Sequence, residues 1–334
     1  MDRNELSRNL NGPKSECGLG TTEPKPTSSP VLGVVVTFYN QPRDFETCIQ
    51  SFAGQADEDI PIVVVDDCYP DNCYVTQICK HSGLRNIRVI RHEINRGVAA
   101  ARNTGVMALA SKYVLIVDGD DFLPRNALKT IRGLLDRNPE IDILISDYIV
   151  FTQDNDSHNC VRKARPPAPG ELLYRQPFLG AGIVIRRSLM LTAGLYDEAP
   201  ELVRGMEDRE FLIRLMTYQP KVFHTEVPIY ARRIPQNSRS IQCNWEQHQI
   251  REYIVRKNHD IFDNKDARNN FLAIGYMNSA EAYCGAGLVS KSARCLFHAL
   301  RLDWRVVAGR VWGTLRANLA GLVRHNVRVR CSVR

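Results

Sequence analysis

Between residues 31 and 151 two hydrophobic rhythms alternate along the chain. VLGVVVTFYN (31–40), IPIVVVDD (60–67), YVLIVDGDD (113–121) and IDILISDYIVF (141–151) are short, continuous apolar runs. Such runs fit strands covered on both faces. NIRVIRHE (86–93) reads as a shorter strand. Between the runs, apolar residues recur at helical spacing: Phe45, Ile49 and Phe52 after Pro42, then Leu128, Ile131 and Leu135. Residues 97–111 also read as a helix. This strand–helix alternation predicts an α/β fold, a mostly parallel, Rossmann-like sheet with helices on both faces. Ligands of such sheets bind beyond the carboxyl ends of the strands.

The pattern changes on either side of this region. Residues 1–30 are polar and rich in Pro, Gly, Ser and Thr, as expected of a disordered leader. Residues 152–170 read as a polar, proline-rich loop, and GAGIVIRRSLM after it as a strand and short helix. From about 245 the pattern is helical throughout, and GYMNSAEAYCGAGLVSKSARCLFHALRLD has the form of a helical hairpin. The expected division is a leader (1–30), a sheet domain (31–244) and a helical C-terminal extension (245–334).

Charge narrows the partners. Residues 301–334 hold eight arginines and one acid, Asp303, which accounts for the whole formal charge of +7. The other 300 residues balance, so the main domain offers no electrostatic footprint for nucleic acid. No run approaches the roughly 20 apolar residues of a membrane span, and the first residues lack a hydrophobic signal segment. The expected location is the cytoplasm, with peripheral contact on the cytoplasmic face of a membrane. The ten cysteines are irregularly spaced, and Cys68, Cys73 and Cys79 lack paired CxxC spacing; they read as reduced thiols.

The chemistry-bearing feature is the cluster of acids where apolar strands end. Asp118, Asp120 and Asp121 follow YVLIV. Like charges so close to a core are costly unless a cation neutralises them. Asp118 and Asp120 are two apart and point to one side of a strand end, a hard oxygen site suited to Mg²⁺ or Mn²⁺ that completes its shell with substrate phosphates. A solvated acidic turn is the plainer alternative. A DxD after a strand also describes an aspartyl-phosphate hydrolase. That motif normally lies near the start of such enzymes, whereas here two βα units precede it. Asp66 and Asp67 end another strand, either as ligand contacts or as helix caps. Glu207 and Asp208, in GMEDREFLIRL, either favour a helix N-terminus or supply a general base.

These motifs, in order, resemble glycosyltransferase family 2, the large group of inverting nucleotide-sugar transferases with the GT-A fold. The resemblance covers roughly 31–240. VVVTFYN is similar to the opening strand and nucleotide-contacting loop, and VVVDD to the strand whose acid contacts the base. NRGVAAARNTG is similar to N-x-G-x-x-x-A-R-N-x-G, VDGDD to the metal motif, GMEDREF to the ED motif, and YARRIPQNSRS to the late Tyr-Arg and Ser-x-Ser region.

The resemblance implies a UDP-sugar donor bound by Thr37, Tyr39, Asn40, Asp66 or Asp67, Gly97, Arg102, Asp118 and Arg232. It implies Mn²⁺ or Mg²⁺ held by Asp120 with Asp118 and Asp121, and Asp208 as the base with Glu207 orienting the acceptor, a carbohydrate or lipid-linked sugar. Arg102 either holds the diphosphate or pairs with the carboxylates. His224 is either a late metal ligand or a structural strand histidine. Arg232 and Arg233, with Ser238 and Ser240, form either a loop over the diphosphate or a solvated basic loop. Arg204 stands where related transferases carry Trp, so sugar identity does not transfer. A catalytically dead scaffold that binds carbohydrate is the non-enzymatic alternative.

On a helix from 304 to 325, Ala308, Val311, Leu315, Leu319 and Leu322 share one face, and Arg305, Arg310, Arg316 and Arg324 the other. That layout fits an interfacial helix on anionic lipid, a helix packed on the domain, or a partner contact.

Overall fold

The computed structural model describes residues 30–55, 59–152, 160–234 and 243–331, with side chains as far as Trp312. The leader, Ser238 and Ser240, and the side chains of Leu315, Arg316, Leu319, Leu322 and Arg324 lie outside the described residues. Four strands form a parallel half-sheet in the order β3 (Ile87–Arg91), β2 (Ile62–Asp66), β1 (Leu32–Phe38), β4 (Tyr113–Asp118). The second half is mixed. β7 (Val184–Arg186) runs antiparallel between β4 and β5 (Ile143–Thr152), and β5 pairs β6 (Cys160–Arg162) antiparallel and β8 (Val222–Ile234) parallel. β7 is the strand expected in GAGIVIRRSLM, whereas β6 lies in the stretch read as a loop, and β8 was not legible from apolar runs because it mixes charged, polar and proline positions.

Period-two alternation splits the core into two layers. Leu32, Val34 and Val36 of β1, with Val64, Leu115 and Val117, pack against α1 (Pro42–Phe52) and α4 (Ala127–Arg137) through Phe45, Ile49, Leu128 and Ile131. The same layer holds Val75 and Cys79 of α2 (Tyr74–His81). Val35, Val63, Val65, Val114 and Ile116 face the other way, onto α3 (Val98–Ala108), Met190 of α5 (Arg187–Thr192) and α6 (Glu207–Met216). Gly105 lets α3 sit close, since a Cβ there would lie 2.3 Å from Val35 Cγ1.

The C-terminal helices are α7 (Gln247–Lys257), α8 (Lys265–Gly285) and α9 (Val289–Cys331). α8 and α9 form the expected hairpin. Ile250 and Ile254 of α7 and Phe271 of α8 join the same core layer as β1 and α3, so these helices complete the sheet's packing. α9 kinks at Asp303, whose φ of −155° and ψ of 98° leave the helical region. Asp303 Oδ1 accepts the Arg305 N–H at 3.1 Å, capping the helix that restarts there. Among the described residues no helix is long and apolar enough to cross a membrane.

Candidate active site

The register of the parallel strands gathers their carboxyl ends. Thr37 pairs with Asp118 across β1 and β4, and Phe38 with Asp66 across β1 and β2. Beyond them opens a cleft of about 800 Å³. Thr37, Tyr39 and Asn40, Asp67, Arg102, the acids 118–121, Glu207, Asp208 and Arg232 all line it. Residues from four strand ends and two helix starts therefore meet in one space, as the α/β topology predicts.

The turn after β4 is tightly held. Gly119 donates to Thr37 O at 2.8 Å, and a Cβ on it would lie 2.7 Å from that oxygen. Asp121 is buried and takes two bonds, from the Tyr230 hydroxyl at 2.6 Å and the Arg233 N–H at 2.7 Å. Tyr230 also accepts the Asp118 N–H at 3.3 Å. Phe122 and Ala231 exchange backbone bonds beside them. Asp121 thus anchors the loop to β8 while it lines the cleft. Tyr230 lines the cleft and was missed in the sequence, although it is the Tyr of YARR.

Asp120 differs from its neighbours. Among the described residues no other residue hydrogen-bonds its carboxylate, whose backbone bond comes from its own N–H. Burial, then the charge of Asp118, pushes its pKa up to about 6, opposed by Arg232. Burial and the charges of Asp120 and Asp118 push Asp121 up as well. The cluster is short of positive charge, as a carboxylate set that receives a divalent cation must be. Among the described residues no three His, Cys, Asp or Glu side chains converge on one point. The residues present therefore fit an ion that takes one or two carboxylates and draws its remaining ligands from phosphate and water, the habit of Mg²⁺.

His224 does not join them. Its Nε2 lies 2.9 Å from Asp147 Oδ1, on β5, and it does not line the cleft. The structural alternative for His224 is the one observed. Arg233 also turns inward, to Asp44 Oδ1, Asp120 O and the rings of Phe122 and Phe151. Both Arg232 and Arg233 line the cleft.

The acids after β2 divide. Asp66 accepts the Tyr69 N–H at 2.8 Å and an ion pair from Arg91, and it lies outside the cleft lining. Asp67 lines the cleft, with bonds from the Arg96 and Gly97 N–H groups at 2.8 Å each and His92 Nδ1 at 2.7 Å. Gly97, at φ 89°, shapes this turn and does not itself line the cleft, contrary to its expected ligand contact.

Arg102 crosses from α3 to both acidic motifs. It donates to Asp118 Oδ1 at 2.9 Å and to Glu207 Oε1 at 2.8 Å. Burial disfavours its charge, but Asp118 and Glu207 outweigh that and hold it firmly protonated. The ion-pair alternative is the one observed. Burial and the neighbouring Asp208 push Glu207 up to about 6, against the pull of Arg102. Asp208 opens α6 behind Met206, a non-glycine residue at φ 70°. Its Oδ1 accepts the Arg209 N–H at 2.7 Å. A Cβ on Gly180 would lie 1.8 Å from Asp208 Oδ2, so the small residues 180–182 leave the room this carboxylate occupies.

Residues 33–192 match the family model described as Glycosyl transferase family 2. Over these residues the chain is similar to glycosyltransferase family 2. An uncharacterized glycosyltransferase of Methanocaldococcus jannaschii is 27% identical over 239 residues, 69% of this chain and 79% of the relative. Other curated relatives are longer than the match, and the chain spans 62% of a Haemophilus influenzae glycosyltransferase and 33% of a Bacillus subtilis one. The GT-A fold is shared with the Staphylococcus aureus TarS 1–349 complex with UDP-GlcNAc, at a TM-score of 0.62 and 17% identity, covering 83% of each chain. It is shared also with the Pyrobaculum calidifontis mannosyltransferase PcManGT in complex with GDP-Man and Mn²⁺, at a TM-score of 0.54 and 17% identity, covering 89% and 87%. In this chain the acids at 118–121 and at 207–208 line one cleft.

Proposed function

We propose that this glycosyltransferase is metal-dependent and inverting, and that it moves a hexose-type sugar from a UDP-sugar to a carbohydrate or lipid-linked acceptor in glycan synthesis. The observation that carries the reading is that Asp120 and Asp208 line one cleft, each with a carboxylate oxygen that no other described residue engages. The acceptor hydroxyl gives its proton to Asp208 as its oxygen bonds the anomeric carbon. The bond from that carbon to the diphosphate breaks, and the nucleoside diphosphate leaves with the electron pair. Attack from the face opposite the leaving group inverts the centre. Asp120, with Asp118 beside it, would hold Mn²⁺ or Mg²⁺, which would supply positive charge against the departing diphosphate.

The remaining residues bind and orient. Thr37, Tyr39, Asn40 and Asp67 form the nucleoside wall, Arg232 faces the phosphates, and Arg102 holds Asp118 and Glu207 in register. A membrane contact through residues 304–325, on the cytoplasmic face, belongs to the same reading because a lipid-linked acceptor lies there.

The test is nucleoside diphosphate release from a panel of nucleotide sugars, with and without Mn²⁺, and the anomeric configuration of the product by NMR. Metal-dependent UDP release with inverted product supports the reading. Phosphate release from a generic ester favours the hydrolase, and donor binding without turnover favours the inactive scaffold.

A further inference from the structure

The amphipathic helix beyond the kink sits on the protein the unexpected way round. A surface helix ordinarily packs its apolar stripe inward and solvates its charges. Here only Val307 of that stretch is buried, against Met277 and Ala299. Arg310 rests on α8, with its Nη2 bonded to Asn278 Oδ1 at 2.8 Å and its Nε 3.3 Å from Glu281 Oε1. The apolar positions look out. Trp304 is 65% exposed, Val311 52% and Trp312 63%.

The outward face continues across the kink. On the first part of α9, Cys295 and Ala299 are buried, and Phe297 and Leu300 stand on the opposite side, 57% and 45% exposed. Arg294 and Arg301 are exposed beside them, and the Arg301 guanidinium lies 5.6 Å from the Phe297 ring centre. Between Val289 and Trp312 the one acid is Asp303, which is buried and bonded to Asn270 and Arg305. A large aromatic and aliphatic patch edged by arginines, with no exposed acid, marks an interaction surface.

We propose that this face, from Phe297 through Trp312, is a docking surface for an anionic lipid bilayer, with Trp304 and Trp312 as its interfacial anchors. The inference rests on the membrane contact proposed above, and names its surface and its lipid chemistry. Tryptophan suits the boundary between headgroups and acyl chains, where its ring is buried and its N–H stays wet. Arginine stems lie along apolar surface while the charged ends reach phosphates. Negative surface potential attracts such a helix in proportion to its basic residues, and the sequence from 301 supplies eight arginines to one acid. The same charge count argues against a second copy as the occupant, since two such faces would bring like charges together.

The full-length protein is mixed with vesicles of phosphatidylcholine alone or with phosphatidylglycerol, and co-sedimentation is measured beside intrinsic fluorescence. Two of the chain's three tryptophans lie on the proposed surface, so docking shifts their emission to the blue and exposes it to quenching by brominated lipid. Binding to the anionic vesicles, lost by roughly tenfold or more in W304A/W312A and weakened by R294E/R301E, is the expected result. Both variants alter exposed side chains, and circular dichroism checks that they remain folded. Anionic-vesicle binding that survives in W304A/W312A overturns this surface while leaving a membrane contact elsewhere. No vesicle binding by the unaltered protein overturns the membrane contact altogether, and light scattering that shows a dimer lost in W304A/W312A overturns the lipid as the occupant of this face. Sugar transfer to a soluble acceptor, assayed in parallel, reports the transferase reading separately.

Discussion

Arg102 donates to Glu207 at 2.8 Å across 105 positions of sequence, and this pair ties α3 to the start of α6. The other arm of the same guanidinium holds Asp118. Asp118 and Glu207 are therefore fixed relative to each other by one buried cation. Removing it leaves two partly buried carboxylates unpaired. Arg102→Met is expected to cost on the order of 3 kcal/mol of stability at pH 7.5, measured by urea denaturation. An unchanged midpoint contradicts the bridging role.

Asp120 costs stability in the absence of a cation. Its native pKa near 6 lies above the ordinary 3.8, so the folded state holds this proton more tightly than the unfolded chain. Stability then falls as pH rises from about 4 to about 6, and the whole penalty, on the order of 2 kcal/mol, applies above that. Asp120→Asn removes the charge at nearly constant shape. In chelator it is expected to melt several degrees above the wild type at pH 7.5 and with little difference at pH 4.5, while its transferase activity is lost. Equal melting curves at pH 7.5 contradict the charge deficit.

Gly180 sets the position of Asp208, the proposed base. A methyl group there meets the Oδ2, Cγ and Cβ atoms of Asp208 at 1.8, 2.5 and 2.5 Å, so the whole side chain must move. A displacement of about an ångström costs on the order of a hundredfold in turnover. Gly180→Ala should lower kcat by that order and leave UDP binding by calorimetry intact. Wild-type kcat contradicts Asp208 as the base at this site.

Tyr230 anchors the acidic turn from β8. Tyr230→Phe keeps the ring and strands one oxygen of buried Asp121, at a cost of about 1–3 kcal/mol. The expected readouts are a lower melting temperature and a raised Mn²⁺ concentration for half-maximal transfer. His224→Ala is the contrasting case. Its imidazole pairs with Asp147 outside the cleft, so the Mn²⁺ dependence should not move.

The strands and the acidic motifs were readable because each is local. VVVDD and YVLIVDGDD announce buried strands and their ends, and GMEDREF announces a helix start. What could not be read is which way each end residue turns. Asp66 faces Arg91 on β3, and Asp121 faces Tyr230 and Arg233 on β8, partners 25 and about a hundred positions away. Adjacent aspartates look equivalent in sequence, and only the neighbouring strands show which carboxylates are held by partners. The tail shows the same limit. Periodicity identified its two faces, but the packing of Val307 and Arg310 on α8 decided which one faces out.

The most direct test of the central claim is nucleoside diphosphate release after exhaustive chelation, with Mn²⁺ or Mg²⁺ then added back, for the wild type and Asp120→Asn. The account predicts that chelation abolishes wild-type release, that either ion restores it, and that Asp120→Asn stays inactive in both conditions. Full transfer by the chelated wild type, or by Asp120→Asn, would contradict it.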